Sequence, residues 1–78
     1  MINSQEETEI RKTLLDLIKQ YHSLSWSEDS EYRTKARKYI LGAYESYTLE
    51  KFDEAKIQIE LARMYFQLQQ GSQNLHGL

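Results

Sequence analysis

The chain contains no cysteine and no proline among its 78 residues, and it has only three glycines. Without cysteine it can form neither a disulfide nor a thiolate metal site, and the absence fits a reducing compartment. Strands joined by tight turns need glycine and proline, which are scarce here, so the sequence predicts an all-α fold. Because so short a chain buries only a modest core, close helix packing or association with another chain must supply its stability.

The chain also lacks a long apolar run, so the sequence predicts no membrane-spanning helix, and the acidic stretch 3–9 does not resemble a signal peptide. We therefore expect a cytoplasmic protein that does not contact a membrane. Hydrophobic residues make up 40% of the chain and charged residues 28%, which is too apolar for a disordered protein. The net charge of −2 argues against a general nucleic-acid binder, whose surface is usually basic.

Chemical motifs are missing as well. Neither His22 nor His76 has the spacing of a metal site, and the chain has no glycine-rich phosphate loop and no nucleophile elbow. His22 falls at the end of a predicted helix, where the helix dipole favours a cation. The sequence therefore predicts no catalytic residue, no metal and no cofactor, and we expect a protein that is not an enzyme.

What the sequence does contain is apolar residues at helical spacing in three segments. The predicted helices cover about residues 5–23, 28–47 and 51–70 of a single domain, residues 1–70. Serines crowd the first break, where Ser25 with Glu28, or Ser27 or Asp29 alone, could cap the second helix. Trp26 lies in this break and is expected to fold back over the core as a lid.

The second connection is short, and it predicts that helices two and three are antiparallel neighbours. Gly42 falls in the middle of helix two, where glycine costs about 1 kcal/mol relative to alanine, so we expect another helix to approach it closely. Gly71 suits the residue just after a helix end. We therefore expect residues 71–78 to form a flexible tail.

The third helix carries two apolar stripes, whereas a surface helix needs only one. The first stripe consists of Phe52, Ala55, Ile59, Ala62 and Phe66, and the second of Ile57, Leu61, Met64, Tyr65 and Leu68. At about 100° per residue, the centres of the two stripes lie roughly 160° apart. We expect the first stripe to form the core with helix two. The second stripe must be covered either by helix one or by another chain.

Tyr44 of helix two resembles Tyr65 because it also lies off the main apolar stripe of its helix. Tyrosine is enriched at interfaces, since it offers a large contact area at low entropy cost. The predicted partner-binding residues are Ile57, Leu61, Met64, Tyr65, Leu68 and Tyr44. The predicted architecture is a three-helix bundle, a helical hairpin preceded by an N-terminal helix. We expect a protein–protein interaction or regulatory module that forms a homodimer through helix three or binds a heteromeric partner helix.

Helix two also carries the one basic cluster with a functional alternative. Its members are Arg33, Lys35, Arg37 and Lys38. The main interpretation is a solvated face whose charges pair with acids such as Glu31 or with helix one. The alternative is a regulator whose basic helix two binds nucleic acid or an acidic partner. The acidic net charge and the lack of a helix-turn-helix signature weigh against nucleic acid.

Aromatic, acidic and small residues in the stretch 39–62 stand at Tyr39, Ala43, Phe52, Glu54, Ala55 and Ala62. With these positions the stretch resembles one tetratricopeptide-repeat hairpin. Ser46 stands where an aromatic residue is usual and Glu50 where glycine is usual, and no proline ends the unit. Three-helix microtubule-interacting-and-transport domains have a similar spacing. Both families are protein-binding modules, so the resemblance implies a protein-binding module, and a single repeat cannot bury both of its own faces.

Overall fold

A computed structural model describes residues 4–27 and 29–76, and of Ser4 and residues 72–76 it describes only the backbone. The helices are α1 (Ser4–Ser23), α2 (Glu31–Thr48) and α3 (Phe52–His76), and the described ranges contain no strand. The three helices pack as the all-α bundle that the sequence predicts, with α3 packed most extensively on α2. In the described part of the chain, no helix combines the length and the apolar character needed to cross a membrane.

The core is formed by one face of each helix. Its buried residues are Ile10, Leu14 and Leu17 of α1, Ala36, Ile40 and Ala43 of α2, and Ala55, Ile59, Ala62 and Phe66 of α3. Phe52 packs against this cluster and is partly buried. The first stripe of helix three is therefore confirmed as a core face. The alanines are fully buried, and their small side chains allow α2 and α3 to lie close together.

The start of α2 differs from the prediction. The helix begins at Glu31, and its N-cap is Ser30, whose hydroxyl accepts a hydrogen bond from the Arg33 amide at 3.1 Å. Capping by Ser27 or Asp29 is therefore wrong. The Ser30 amide donates to the Ser27 carbonyl at 3.1 Å, so residues 27–30 form a turn, and helical geometry starts only after it. The predicted pairing of Ser25 with Glu28 involves a residue outside the described ranges.

The end of α2 forms a Schellman motif around Glu50. The Lys51 amide donates to the Ser46 carbonyl at 2.8 Å, and the Glu50 amide donates to the Tyr47 carbonyl at 3.0 Å. Glu50 adopts a left-handed conformation with φ of 62°, which is the position where this motif favours glycine. The motif reverses the chain within a few residues and sets α3 beside α2.

The predicted end of helix three at Gln70 is wrong, because α3 continues through Gly71 to His76. Gly71 does not take a positive φ, and no atom crowds the place where its β-carbon would be. Nothing in the surrounding sequence, such as a proline, forces the helix to stop there. The predicted tail, residues 71–78, therefore begins as helix, and residues 77 and 78 lie outside the described residues.

Trp26 covers one end of the core, as the sequence predicts. Its ring lies 5.4 Å from that of Tyr21 and 6.1 Å from that of Phe66, centroid to centroid. The indole Nε1 donates a hydrogen bond to the Tyr21 carbonyl at 2.7 Å. The indole thus closes the core while its only polar atom is satisfied.

Gln69 also holds this loop, a role that was not predicted from the sequence. Its Nε2 donates to the Ser25 carbonyl at 3.0 Å, and its Oε1 accepts from the Ser30 hydroxyl at 3.5 Å. The side chain is buried. Its position, three residues after Phe66, continues the first stripe of α3. A polar residue in that register indicates a buried hydrogen-bonding role.

Candidate interaction surfaces

The first candidate surface is the outer stripe of α3, which we define as Ile57, Leu61, Met64 and Leu68. Ile57 is 61% exposed, Met64 42% and Leu68 44%, and Leu61 is half-buried. These residues lie on the side of α3 opposite its core face, and Ile57, Met64 and Leu68 stay exposed there. Within the described residues, helix one therefore does not bury these three side chains of the second stripe, and their coverage by another chain stays a prediction.

Tyr65 does not belong to the outer stripe. Its ring stacks on that of Tyr39, with centroids 5.9 Å apart and planes at 12°, and it packs at a tilt against Tyr32. The side chain is half-buried between α2 and α3. The expectation that Tyr65 is an exposed anchor is wrong, because Tyr65 lies on the edge of the second stripe that turns toward α2.

Tyr44 lies on a second candidate surface, the groove between α1 and α2. This groove has a volume of about 530 Å³ and is partly open to solvent. The α1/α2 groove is lined by Ile18, Tyr21 and His22 of α1 and by Arg33, Arg37, Ile40, Leu41 and Tyr44 of α2. Leu41 and Tyr44 are 58% and 56% exposed, so the packing of α1 on α2 leaves them largely uncovered. The structure therefore separates Tyr44 from the α3 residues with which the sequence grouped it.

The basic residues of α2 do not form one patch. Arg33 and Arg37 line the α1/α2 groove, whereas Lys38 lies over the ring of Tyr39 at 5.9 Å, and Lys35 is half-buried outside the groove. Arg33 donates through Nε to the Tyr21 hydroxyl at 3.2 Å. The four positive charges are thus divided between the groove, where Arg33 and Arg37 lie, and other sides of the helix.

No carboxylate is among the described residues that line the α1/α2 groove. The ion pairs described in the chain join Glu6 with Lys56 and Glu60 with Arg63, both away from this groove. The expected pairing of the basic run with neighbouring acids is therefore not observed among these residues. The described lining of the groove thus combines apolar side chains with those of two arginines.

A smaller depression between α1 and α3, of about 160 Å³, has a different character. Glu6 and Lys56 bridge it, and the hydrogen bond from the Lys56 ammonium to the Glu6 carboxylate raises the pKa of Lys56 above its usual value. Glu60 and Arg63 pair with each other beside it. These four charges are therefore paired with one another at the depression.

The described residues include no group of three or more His, Cys, Asp or Glu side chains that could hold a metal ion. His22 packs edge-on against Tyr21 with ring centroids 5.4 Å apart, at the end of α1 where the sequence places it. His76 has no described side chain.

Comparison of the chain with protein-family models, with curated proteins and with solved structures finds no significant match. Ala43, Ala55 and Ala62, three of the positions that carry the repeat-like resemblance, are fully buried. Small residues at these places serve any closely packed helical hairpin. The resemblance to a tetratricopeptide repeat therefore stays a prediction.

Proposed function

We propose that the protein is a small non-enzymatic interaction or regulatory module of the cytoplasm that binds a second copy of itself through the outer stripe of α3. The observation that carries this proposal is the exposure of Ile57, Met64 and Leu68 on a helix whose other face is fully used by the core. The residues of the stripe follow one another at intervals of four, three and four. This is the spacing of a helix that packs along another helix.

Single exposed apolar side chains are common on protein surfaces and need no explanation. The outer stripe differs because its four members form one continuous line, which spans about 16 Å at the usual rise per residue. Larger continuous apolar patches on soluble proteins mark sites of association. The small size of the chain adds a reason, since a partner would supply burial that the domain cannot provide alone.

Self-association is tested by measuring the sedimentation of the chain between roughly 10 µM and 1 mM, the range in which weak dimers dissociate. The test variant is Ile57→Gln/Met64→Gln, which removes two exposed apolar side chains without adding charge. The matched control is Leu49→Gln, because Leu49 is 58% exposed but lies in the connection between α2 and α3.

We expect the average mass of the wild type and of Leu49→Gln to rise with concentration, and the double variant to remain monomeric with unchanged helicity. A wild-type chain that stays monomeric throughout this range would refute the proposal. Association of the double variant equal to that of the control would also refute it, because the outer stripe would then not be the interface.

The alternative of a nucleic-acid binder has no specific observation in its favour. Arg33 and Arg37 face the α1/α2 groove, while Lys38 lies over Tyr39, so the basic side chains do not line one surface that could follow a phosphate backbone. Binding of an acidic partner fits the two arginines better, and the next proposal assigns them such a role.

A further inference from the structure

We infer that the outer stripe of one copy docks into the α1/α2 groove of the next, so that copies associate head to tail. This inference rests on the proposed self-association and names the surface that receives the outer stripe. The two surfaces lie on different parts of the molecule, one between α1 and α2 and the other on the side of α3 that faces away from both.

The charge order along the two surfaces matches. Following α2 from its N-terminal end, the groove presents Arg33 and Arg37 first and then the apolar Leu41 and Tyr44. The outer stripe has the complementary order, because its helix begins with acidic residues and continues with apolar ones. The acidic residues are Asp53 and Glu54 in the first turn of α3.

Helical spacing places Asp53 and Glu54 about 50° to either side of the centre of the outer stripe, and both are exposed. A stripe laid parallel to α2 can therefore set Asp53 against Arg37 and Ile57 against Leu41. The intervals agree as well. Arg37 precedes Leu41 by four residues and Asp53 precedes Ile57 by four, so one register satisfies both pairs.

If two outer stripes paired with each other, fewer charged and apolar side chains would gain a partner. Residues 64–71, in the C-terminal half of the stripe, include no charged side chain, so in an antiparallel pairing the acids of one copy would meet no cation in the other. Leu41 and Tyr44 would also stay exposed. Docking into the groove covers Leu41 and the N-terminal half of the outer stripe with one contact and gives Arg37 an acidic partner.

Because the two surfaces of this contact differ, one copy can use both at once. Such an interface does not close between two copies by symmetry, and it leads to rings or to open chains. The wild type should therefore grow beyond a dimer as its concentration rises. This growth distinguishes a head-to-tail contact from a symmetric pairing of α3 with α3.

The decisive experiment mixes two variants that each lose one surface. The stripe variant is Ile57→Gln/Met64→Gln, which keeps the groove, and the groove variant is Arg37→Glu/Leu41→Gln, which keeps the stripe. All four positions are exposed, so we expect each variant to keep the helicity of the wild type. Sedimentation of each variant alone and of an equimolar mixture provides the readout.

We expect each variant alone to be monomeric and the mixture to form a heterodimer that does not grow further. If the groove variant alone associates as strongly as the wild type, the stripe uses another surface, so the head-to-tail inference falls while the proposed self-association stands. A mixture that stays monomeric while the wild type associates would equally overturn it. A monomeric wild type would defeat both proposals.

A charge reversal tests the register. Arg37→Glu should weaken association about tenfold or more, and mixing this variant with Asp53→Lys/Glu54→Lys should restore binding between the two chains. Circular dichroism of each variant checks that α3 still forms. If the mixture binds no better than either variant does alone, Arg37 does not face these acids and the proposed register is wrong.

Discussion

Gln58 of α3 places its side-chain amide over Gly42 of α2, in the space that a β-carbon at residue 42 would occupy. From there the Gln58 Nε2 donates a hydrogen bond to the Ser46 hydroxyl, one turn further along α2, at 3.1 Å. The close approach that the sequence predicts at Gly42 is therefore confirmed. The structure adds which side chain makes it, since Gln58 fills the gap left by the missing β-carbon.

This contact predicts that Gly42→Ala changes stability little. The alanine should add about 1 kcal/mol of helix propensity, but it displaces Gln58 and removes a hydrogen bond that contributes about 1 kcal/mol. In a Gln58→Ala background the displacement is absent, so the same substitution should stabilise the chain. Urea unfolding of the two single variants and the double variant measures the difference. Equal effects of Gly42→Ala in both backgrounds would contradict the account.

The conformation of Glu50 predicts a stabilising substitution. A non-glycine residue in the left-handed region carries an energetic cost of about 1–2 kcal/mol, which Glu50→Gly removes. The greater freedom of glycine in the unfolded chain offsets part of this gain, so we expect a net increase of up to about 1 kcal/mol. Glu50→Ala is the control, because alanine keeps the β-carbon and should give no gain. A gain from alanine as large as that from glycine would mean that the charge, not the backbone, is responsible.

Gln69 offers a third test, with the single tryptophan of the chain as a reporter. Gln69→Leu removes the hydrogen bonds to Ser25 and Ser30, and we expect a loss of about 1–3 kcal/mol with a shift in Trp26 emission toward that of an exposed indole. Gln70→Leu is the matched control, because Gln70 is the next residue in the helix and its side chain is exposed. If the control shifts the emission equally, Gln69 does not hold the loop that carries Trp26.

Much of the fold follows from periodicity in the sequence. The spacing of Ala55, Ile59 and Phe66 predicts the core face of α3, and Trp26 between two helices predicts the lid. The helix ends were harder to predict. The first serine of the break does not start α2, because a turn that ends at Ser30 comes before the helix. Similarly, Gly71 permits a helix end but does not impose one.

The candidate sites could be predicted only in part. The outer stripe follows from the helical spacing within α3 alone, so the positions of Ile57 and Leu68 on it can be predicted from the sequence. The α1/α2 groove depends on how two helices are rotated against each other, which the pattern within either helix does not determine. For the same reason Tyr44 and Tyr65 looked alike in the sequence but lie in different environments, one in the groove and one between α2 and α3.

The central claim is that the outer stripe binds the groove of a second copy, and an NMR dilution series tests it most directly. Spectra of the amide groups between roughly 20 µM and 1 mM would report which residues enter the contact, since this range spans the dissociation of a weak complex. We predict concentration-dependent shifts in residues 53–61 of α3 and 37–45 of α2, with little change at Leu14 and Leu17 in the core. Spectra that do not change with concentration, or shifts that leave either segment unaffected, would contradict it.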